Sequence, residues 1–348
     1  MRSLAVLTVR NEAAFLLEWL AHHRACGFTG FLVFSNDCQD GTDAMLDRLQ
    51  AMGWLTHCRN DGPYDERGIQ FTALNGAARL EPVRKADWIA VLDIDEFVNI
   101  HAGDRTLPAL LGALPGATAI TLTWRLFGND GIAAHEDMPV TDRFTACAPS
   151  VIHWPWRAAM FKTLYRNDGT YRKLGVHRPR SPDPDRVAQA RWFDGAGRRL
   201  GPGFARQRVY SDYGQDNFAL VQLNHYPLGA MDSYVLKADR GRVNRDGALG
   251  MDYWVERNYC SDTDTSIAAL RPRRDALLAE LRDDPVLGEL HRQAVAWRQA
   301  RFRRLMEDEP NRALYARLLM TPPARPLTPA QARQMIDHAR RGMAKAGG

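Results

Sequence analysis

The sequence predicts an α/β fold with a mostly parallel central sheet, flanked by helices and followed by a helical C-terminal extension. Strand-like and helix-like segments alternate from residue 4 to residue 122 at the spacing of βαβ units. The apolar run Trp88–Leu92, bounded by charge, is typical of a buried strand. From Arg271 onward the chain is rich in Arg, Ala, Leu and Glu, which favour helix.

The elements follow one another regularly up to about residue 123. The Arg10-Asn11-Glu12 turn leads into a helix whose apolar residues are spaced by three and four, and which ends at Gly27. After Thr123 the chain becomes rich in Gly, Pro and aromatic residues, with short β-like pieces. Before this change we predict strands at Leu4–Val9, Phe31–Phe34, Trp54–Cys58, Trp88–Leu92 and Thr118–Leu122, and helices after Glu12, from Thr42 and over Gly68–Leu80.

The composition is that of a globular protein whose excess charge lies in the C-terminal tail. The 348 residues are 25% charged, and no run approaches the roughly 18 apolar residues of a membrane span. Five basic residues and one acidic residue in the segment 321–348 supply +4 of the net charge of +5, so we expect no nucleic-acid partner. The tail, with an amphipathic helix predicted over Thr328–Lys345, either contacts anionic lipid or is a solvated end.

The cysteines and the N-terminus favour a cytoplasmic protein. Five scattered cysteines without a C-x-x-C pair argue against a disulfide framework and against a zinc knuckle. The first residues run directly into a strand and lack the apolar segment of a secretory signal. We therefore expect a cytoplasmic location, in which the basic tail would bring the protein to the inner face of the membrane if it binds lipid.

The motif Asp93-Ile94-Asp95-Glu96-Phe97 carries the most chemical information. It follows the buried strand directly, and in an extended chain the side chains of Asp93 and Asp95 would point the same way. Such carboxylates make an oxygen-rich site, which Mg²⁺ and Mn²⁺ favour when a substrate diphosphate supplies further ligands. The competing interpretation is a loop of solvated acidic residues.

Three polar clusters are predicted to meet at one edge of the sheet. Arg10–Glu12, Asn36–Asp40 and Asp93–Glu96 each follow a predicted strand. In parallel sheets, ligands bind outside the carboxyl ends of the strands. The three clusters should therefore line one site although they are far apart in the sequence.

Several short motifs occur along the chain in a fixed order. They are Arg10-Asn11-Glu12, Glu18-Trp19-Leu20 with His23, Asp40-Gly41-Thr42, Asn75-Gly76, Asp93-x-Asp95-Glu96-Phe97, Phe127-Gly128, Phe161-Lys162, His177, Asn224-His225-Tyr226, Lys237 and Arg240-Gly241. In this order they resemble the family 2-type glycosyltransferases, especially the family 92-like branch. The resemblance covers residues 5–244, and the helical C-terminus lies outside it.

The resemblance implies a GT-A fold and a sugar-transfer reaction. It implies a domain over residues 1–245, with a nucleotide-binding half (1–123) and an acceptor half (124–245), followed by an extension (246–348) with a basic tail. The expected reaction moves a sugar from a nucleotide-sugar donor, for which we expect a UDP-sugar, to a hydroxyl of a carbohydrate or glycan acceptor. The transfer is expected to invert the anomeric centre and to serve bacterial-type polysaccharide or glycan synthesis.

The resemblance also assigns a divalent cation to the acidic motif. Asp95 is expected to bind the metal directly, and Asp93 is expected to serve the ribose and a metal-bound water. His225 matches a late histidine that reaches the metal in GT-A enzymes; the alternative is a histidine packed between its neighbours. An imidazole ligand favours Mn²⁺ over Mg²⁺.

A further group of residues is expected to contact the donor. Thr8, Arg10, Asn11 and Glu12 would frame the nucleotide, although an acid at a helix N-terminus is also favoured by the dipole alone. Relatives carry an Asp at the end of the second strand, where this chain has Ser35-Asn36, so the base that Asn36 or Asp37 would contact is left open. The remaining expected donor contacts are Gln70 and Asn75 on the preceding helix, Lys162 and Arg240 at the diphosphate, and His177 at the donor or acceptor pocket.

An inverting transfer also needs a carboxylate base on the acceptor side. Asp130, in a Gly-flanked loop after the fifth predicted strand, is our first candidate. Glu136 and Glu96 are alternatives. A loop Asp is also a common turn-former, which is the competing interpretation of Asp130.

Three other classes of protein are weighed against the transferase. A sugar-phosphate nucleotidyltransferase would need a Gly-rich loop after the first strand, and the segment Val9–Ala13 has no glycine. A haloacid-dehalogenase-type phosphatase would carry its Asp pair after the first strand rather than the fourth. A non-catalytic sugar-nucleotide-binding protein would not depend on Asp93 and Asp95.

Overall fold

The chain folds around one large sheet with helices on both faces. The computed structural model describes residues 1–64, 68–153, 159–212, 214–241 and 249–346. The strands are β1 (Ser3–Val9), β2 (Gly30–Ser35), β3 (Thr56–Arg59), β4 (Trp88–Leu92), β5 (Glu96–Ile100), β6 (Ala119–Leu126), β7 (Ala146–Cys147), β8 (Phe161–Arg166), β9 (Tyr171–Lys173), β10 (Arg180–Pro182), β11 (Trp192–Phe193), β12 (Val221–His225) and β13 (Asp262–Thr263).

The helices alternate with the strands in the first half and dominate the last quarter of the chain. They are α1 (Ala13–Ala25), α2 (Thr42–Ala51), α3 (Ile69–Ala77), α4 (Glu81–Lys85), α5 (Leu107–Ala113), α6 (Val140–Arg143), α7 (Pro184–Val187), α8 (Pro202–Arg206), α9 (Met231–Arg240), α10 (Met251–Val255), α11 (Arg271–Asp283), α12 (Pro285–Leu305), α13 (Glu309–Met320) and α14 (Pro329–Ala346). No helix within the described residues is long and apolar enough to cross a membrane.

The central sheet is mostly parallel, as predicted. Its strand order is β3-β2-β1-β4-β8-β6-β12-β5, with β11 paired to β6. β1 runs parallel to both β2 and β4, while β8 is antiparallel to its two neighbours and β5 is antiparallel to β12. Because β1, β2 and β4 share a direction, the residues after Val9, Ser35 and Leu92 reach the same edge of the sheet. The predicted convergence of the polar clusters is therefore confirmed at the level of the backbone.

The core lies on both faces of this sheet, which explains the unbroken apolar runs. Alternate residues of β1 enter different clusters: Leu7 packs on the face covered by α1, α2, α11 and α12, and Val6 packs on the face covered by α3. Both side chains are fully buried. Each buried leucine or valine contributes about 1.5–3 kcal/mol relative to an exposed position.

Some element boundaries differ from the sequence prediction. Gly27 ends the first helix as expected, in a left-handed conformation with φ +100°. The predicted helix over Gly68–Leu80 is shorter, since α3 ends at Ala77 and a separate α4 begins at Glu81, followed by Pro82. β4 ends at Leu92, so the prediction that Asp93 and Asp95 continue a strand is wrong, and the period-two argument does not apply to them.

The C-terminal helices pack back onto the first half of the chain. α11 lies on α1, and α12 contacts α1, α2 and α9. Arg274 of α11 is buried and donates hydrogen bonds to Thr141 Oγ1 and to Asp142 Oδ2, both at 2.6 Å. Thr141 in turn donates to the buried carboxylate of Glu18 on α1, at 2.8 Å from Oγ1 to Oε1. A charged network thus joins the extension to the first helix.

Removing Arg274 should destabilise the protein strongly. Arg274→Ala leaves the carboxylates of Glu18 and Asp142 without their buried cation, and breaking such a buried pair costs about 3 kcal/mol or more. Urea denaturation should show this loss in the free energy of unfolding. The neighbouring variant Arg273→Ala, at an exposed site on the same helix, should change it by less than about 0.5 kcal/mol. Equal stabilities of the two variants would contradict the assigned role of the network.

Candidate functional site

The candidate site is built on the tight turn between β4 and β5. Glu96, the first residue of β5, is fully buried, and its two carboxylate oxygens accept different hydrogen bonds. Oε2 accepts from the backbone N–H of Asp93 at 2.8 Å, and Oε1 accepts from Trp124 Nε1 at 2.6 Å. From the other side, Trp19 Nε1 donates to the carbonyl oxygens of Asp93 and Glu96, both at 3.1 Å. These bonds fix the conformation of the turn and assign Glu96 a positioning role.

Asp95 is held between an ammonium group and an imidazole. Its Oδ2 lies 2.7 Å from Lys237 Nζ, and its Oδ1 lies 3.6 Å from His225 Nε2. Burial alone would raise the pKa of the Asp95 carboxyl, but the ammonium group of Lys237 lowers it well below its usual range. Asp95 is therefore an anion at neutral pH.

His225 reaches this position because β12 pairs with both β5 and β6. The register places His225 opposite Glu96 on one side and beside Leu126 on the other. Burial lowers the pKa of His225, so the imidazole is neutral, and its ring lies 4.3 Å from that of Trp124 between centroids. Its Nδ1 is buried, and no group within the described residues forms a hydrogen bond with it.

Asp93 faces a different set of groups. Its Oδ1 accepts from Gln70 Nε2, and its Oδ2 accepts from Lys162 Nζ, both at 2.8 Å. Lys162 is fully buried on β8 and also lies 3.6 Å from Glu96 Oε2, which excludes the alternative that it is an exposed surface lysine. Nearby, His177 packs its ring 5.7 Å from Trp124, and its Nδ1 lies 3.1 Å from the carbonyl oxygen of Phe161.

The predicted metal-ligand trio is only partly assembled. Asp95 and His225 come together, whereas both oxygens of Asp93 are taken by Gln70 and Lys162. Among the residues that the structure describes, no three His, Cys, Asp or Glu side chains form a group that could hold a metal ion. The physical reason is the turn, which directs Asp93 and Asp95 to different partners where a strand would have aligned them.

The Arg10–Glu12 turn closes against α9. Arg240 forms an ion pair with Glu12 and donates to the carbonyl oxygen of Arg10 at 2.7 Å. Asn11 adopts a left-handed conformation and its Oδ1 accepts from the backbone N–H of Gln39 at 2.7 Å. Thr8 is half-buried at the end of β1, two residues before this turn. The residues predicted to frame a nucleotide therefore do meet at one edge.

Asn36 and Asp37, in the turn after β2, differ in their burial. Asn36 is buried, its Nδ2 donates to the carbonyl oxygen of Val9 at 2.7 Å, and its Oδ1 accepts from Asn60 at 2.6 Å. Both ends of this amide are used inside the protein, and the contact of Asn36 with a base stays a prediction. Asp37 is exposed and accepts a hydrogen bond from Tyr64 OH at 2.5 Å. Asp37 is therefore the more exposed residue of this turn, and its contact with a base also stays a prediction.

Asn75 lies on α3 but is directed to another part of the fold. Its Oδ1 accepts from Arg180 Nη2 at 3.3 Å, and Arg180 lies over the ring of Phe71. This contact joins α3 to β10, and no contact places Asn75 beside Asp93. The contact of Asn75 with a base stays a prediction.

A cleft opens beside Asp95. It encloses about 960 Å³ including its open mouth, and it is bounded by the start of α1, the segment 132–144, α9 and α12. Asp95, Lys237, Glu12 and Arg240 form its polar wall, and most of the remaining wall is apolar. Sequence analysis placed Lys237 in a motif without a role, and it gave no signal for the residues that α12 contributes.

The predicted base Asp130 does not reach this cleft. Its side chain is exposed in a turn with φ 54°, a conformation that Asp tolerates well. The preceding Gly128 packs so closely on Tyr259 that a Cβ there would lie 2.4 Å from its carbonyl oxygen, which fixes the course of the loop. Glu136, the alternative candidate, does line the cleft and lies 2.9 Å from Arg143 Nη2.

The sequence of this chain matches a known family of glycosyltransferases. The model of glycosyltransferase family 92 matches residues 5–190, more than half of the chain, and the chain belongs to this family of enzymes. The predicted resemblance is therefore confirmed. The matched segment contains Asp93, Asp95 and Lys162, while His225, Lys237 and Arg240 lie beyond it.

Individual relatives cover smaller parts of the chain. A family 92 protein of Oryza sativa subsp. japonica is 29% identical over 150 residues, which are 41% of this chain and 24% of the relative. A family 92 protein of Ricinus communis is 25% identical over 148 residues, 39% of this chain and 24% of the relative. The matched part of the chain thus spans about a quarter of the length of these relatives.

Among solved structures, this chain is similar to S. aureus TarS in complex with UDP-GlcNAc, at 12% identity and a TM-score of 0.36, covering 80% of this chain and 71% of that one. Glucosyl-3-phosphoglycerate synthase from Mycobacterium tuberculosis, in complex with Mn²⁺, UDP and glucosyl-3-phosphoglycerate, matches at 17% identity and a TM-score of 0.24, covering 36% and 44%.

Lys162 should be essential for stability as well as for the site. Lys162→Met leaves Glu96 and Asp93 without their buried cation, and we expect a loss of about 3 kcal/mol in the free energy of unfolding. Adding Asp93→Asn should recover part of the loss, because the uncompensated charge of Asp93 is then removed, whereas burial already raises the pKa of Glu96 to about 8. Chemical denaturation of both variants measures this, with Lys173→Met at an exposed site of β9 as the control. Strictly additive effects would argue against the charge coupling.

Proposed function

We propose that this protein transfers a sugar from a nucleotide-sugar donor to a hydroxyl of a glycan acceptor, at the edge of the sheet where Asp95, His225 and Lys237 converge. The observation that carries the proposal is the partly buried, ionised Asp95, which lies beside a neutral imidazole and lines a cleft in a family 92 chain. Glycosyl transfer separates an anomeric carbon from a diphosphate, so charge must be stabilised where it develops. A UDP-sugar remains the donor we would assay first.

Asp95 and His225 fit a divalent cation. An anionic oxygen and a neutral imidazole nitrogen 3.6 Å apart are too far from each other for a hydrogen bond, and they are the donor types that Mn²⁺ accepts together. When bound, the ion would neutralise charge on the diphosphate as a Lewis acid. With two protein ligands, the ion would take its other ligands from the substrate and from water.

The lysines and Arg240 supply fixed positive charge around this point. Lys237 is partly buried and pairs with the second oxygen of Asp95, and Arg240 pairs with Glu12 one helical turn later on α9. Lys162 and Gln70 hold Asp93 toward the nucleotide half, where it is proposed to serve the ribose. Asp37, exposed beside Tyr64, is proposed to face the base.

Glu136 is proposed as the base that takes the acceptor proton. It is exposed on the segment after β6, lines the cleft that contains Asp95, and has Arg143 as its partner. A positioned carboxylate of this kind contributes roughly 10²–10⁴-fold to the rate. An inverting reaction follows from a single displacement with such a base.

Metal-dependent donor binding tests the proposal directly. Thermal unfolding should be measured with a panel of UDP-, GDP- and dTDP-sugars, each with and without Mn²⁺. One donor should raise the melting temperature only with the ion, by an amount equivalent to about 2.7 kcal/mol at a hundredfold excess over Kd. Asp95→Ala should abolish the shift, and the exposed variant Asp252→Ala should retain it. Unaltered donor binding by Asp95→Ala would instead favour a non-catalytic binding protein.

The assignment of the base is tested by kinetics. Glu136→Gln should lower kcat by about 100-fold or more and leave donor binding intact, because it removes only the proton acceptor. Asp130→Asn should stay within about twofold of the unaltered protein. Steady-state rates with saturating donor and acceptor give the comparison. A large loss of kcat in Asp130→Asn and little change in Glu136→Gln would assign the base to Asp130.

A further inference from the structure

The acidic residues of the cleft are all neutralised from within the protein. Four carboxylates line it, and each has a basic partner at hydrogen-bond distance. The pairs are Asp95 with Lys237, Glu12 with Arg240, Glu136 with Arg143, and Asp239 with Arg301. These pairs leave the cleft without a net negative charge before its remaining basic residue is considered.

That remaining residue, Arg298 of α12, forms no ion pair with a carboxylate among the residues that the structure describes. Its side chain lines the cleft, is 6% exposed, and lies over the ring of Phe15 at 4.5 Å from the centroid. Its Nε is buried, and within the described residues no acceptor forms a hydrogen bond with it. Burial lowers the pKa of Arg298, and the neighbouring carboxylates of Glu12 and Asp232 offset this only in part.

A second unsatisfied nitrogen lies next to it. His135 also contacts Phe15, with the two ring centroids 5.5 Å apart. Its Nδ1 is buried, and no group in the described part of the chain forms a hydrogen bond with it. Burial lowers the pKa of His135 to about 4, so it is a neutral donor or acceptor at neutral pH. Buried polar groups normally have hydrogen-bond partners. Two buried nitrogens without partners, both beside Phe15 in an open cleft, indicate that a ligand forms the missing hydrogen bonds.

We propose that Arg298 and His135 bind a carboxylate or phosphate group carried by the sugar acceptor. The inference rests on the proposed transfer function and specifies its acceptor class. A guanidinium group presents a planar fork that matches both anions. The adjacent Trp297 also lines the cleft and offers an aromatic face to the attached sugar ring.

The donor diphosphate is a weaker candidate than the acceptor for the group bound by Arg298 and His135. Its proposed position is beside Asp95, where Lys237 and Arg240 already provide positive charge. Arg298 comes from the C-terminal extension, outside the residues 5–190 that the family model matches. The case for the acceptor rests on charge, because Lys237 and Arg240 are already paired with Asp95 and Glu12, whereas Arg298 has no ion pair within the described residues.

The test measures binding of three probes to the full chain: glucuronate, glucose 6-phosphate and glucose. Calorimetric titrations are run with and without UDP and Mn²⁺. We expect saturable binding of at least one charged probe and at least tenfold weaker binding of glucose. Arg298→Gln should weaken the charged probe at least tenfold and leave glucose unchanged, whereas Arg303→Gln, exposed on the same helix, should change neither. Preference for glucuronate would identify a carboxylate, and preference for glucose 6-phosphate a phosphate.

The remaining outcomes separate this inference from the proposed function. Equal binding of glucose and both charged probes, or charged-probe binding that survives Arg298→Gln, overturns the acceptor site. Loss of UDP binding in Arg298→Gln assigns the residue to the donor and also overturns it. If UDP with Mn²⁺ never binds but the charged probe binds through Arg298, the transfer proposal fails and the anion site stands. His135→Phe, expected to weaken the charged probe about fivefold, provides a second variant if Arg298→Gln folds poorly.

Discussion

The site depends on the compensation of carboxylates by lysines around a three-residue turn. Asp93 and Asp95 are partly buried and Glu96 is fully buried, and burial raises the pKa of Glu96 to about 8, so these acidic groups resist burial unless a cation lies beside them. Lys162 compensates Asp93 and Glu96 from β8, and Lys237 compensates Asp95 from α9. The turn can keep its conformation only if the later strands and helices of the chain are in place.

This constraint connects the nucleotide half to the acceptor half. Glu96 binds the turn backbone through one oxygen and the indole of Trp124 on β6 through the other. Trp124 lies between the rings of His177 and His225. A rearrangement of the acidic turn would therefore move the aromatic wall of the neighbouring half, and the position of His225 is set by the same contacts that hold Asp95.

The sequence allowed prediction of the features that follow from local pattern, and it failed where partners come from distant elements. The strands, the common edge and the acidic motif follow from periodicity and from the direction of parallel strands. The orientation of Asp93 and Asp95 was mispredicted because the strand stops at Leu92. Asn36 looked like a ligand contact, yet its amide joins two turns. Arg298 gave no signal at all, since an arginine on a helix rich in arginine is distinguished only by its burial and its missing partner.

The ion pairs also indicate that the two halves of the predicted domain and the C-terminal extension stabilise one another. Two carboxylates of the site come from the first 100 residues and have basic partners on α9: Asp95 pairs with Lys237 and Glu12 with Arg240. Likewise, the buried Glu18 on α1 is linked to a basic residue from later in the chain, Arg274 on α11. A fragment ending near residue 123 would retain the acidic groups and lose the cations that make their burial favourable. The helical extension is therefore part of the physical environment of the site, and it places Arg298 over the same helix, α1, whose N-terminal turn carries Glu12.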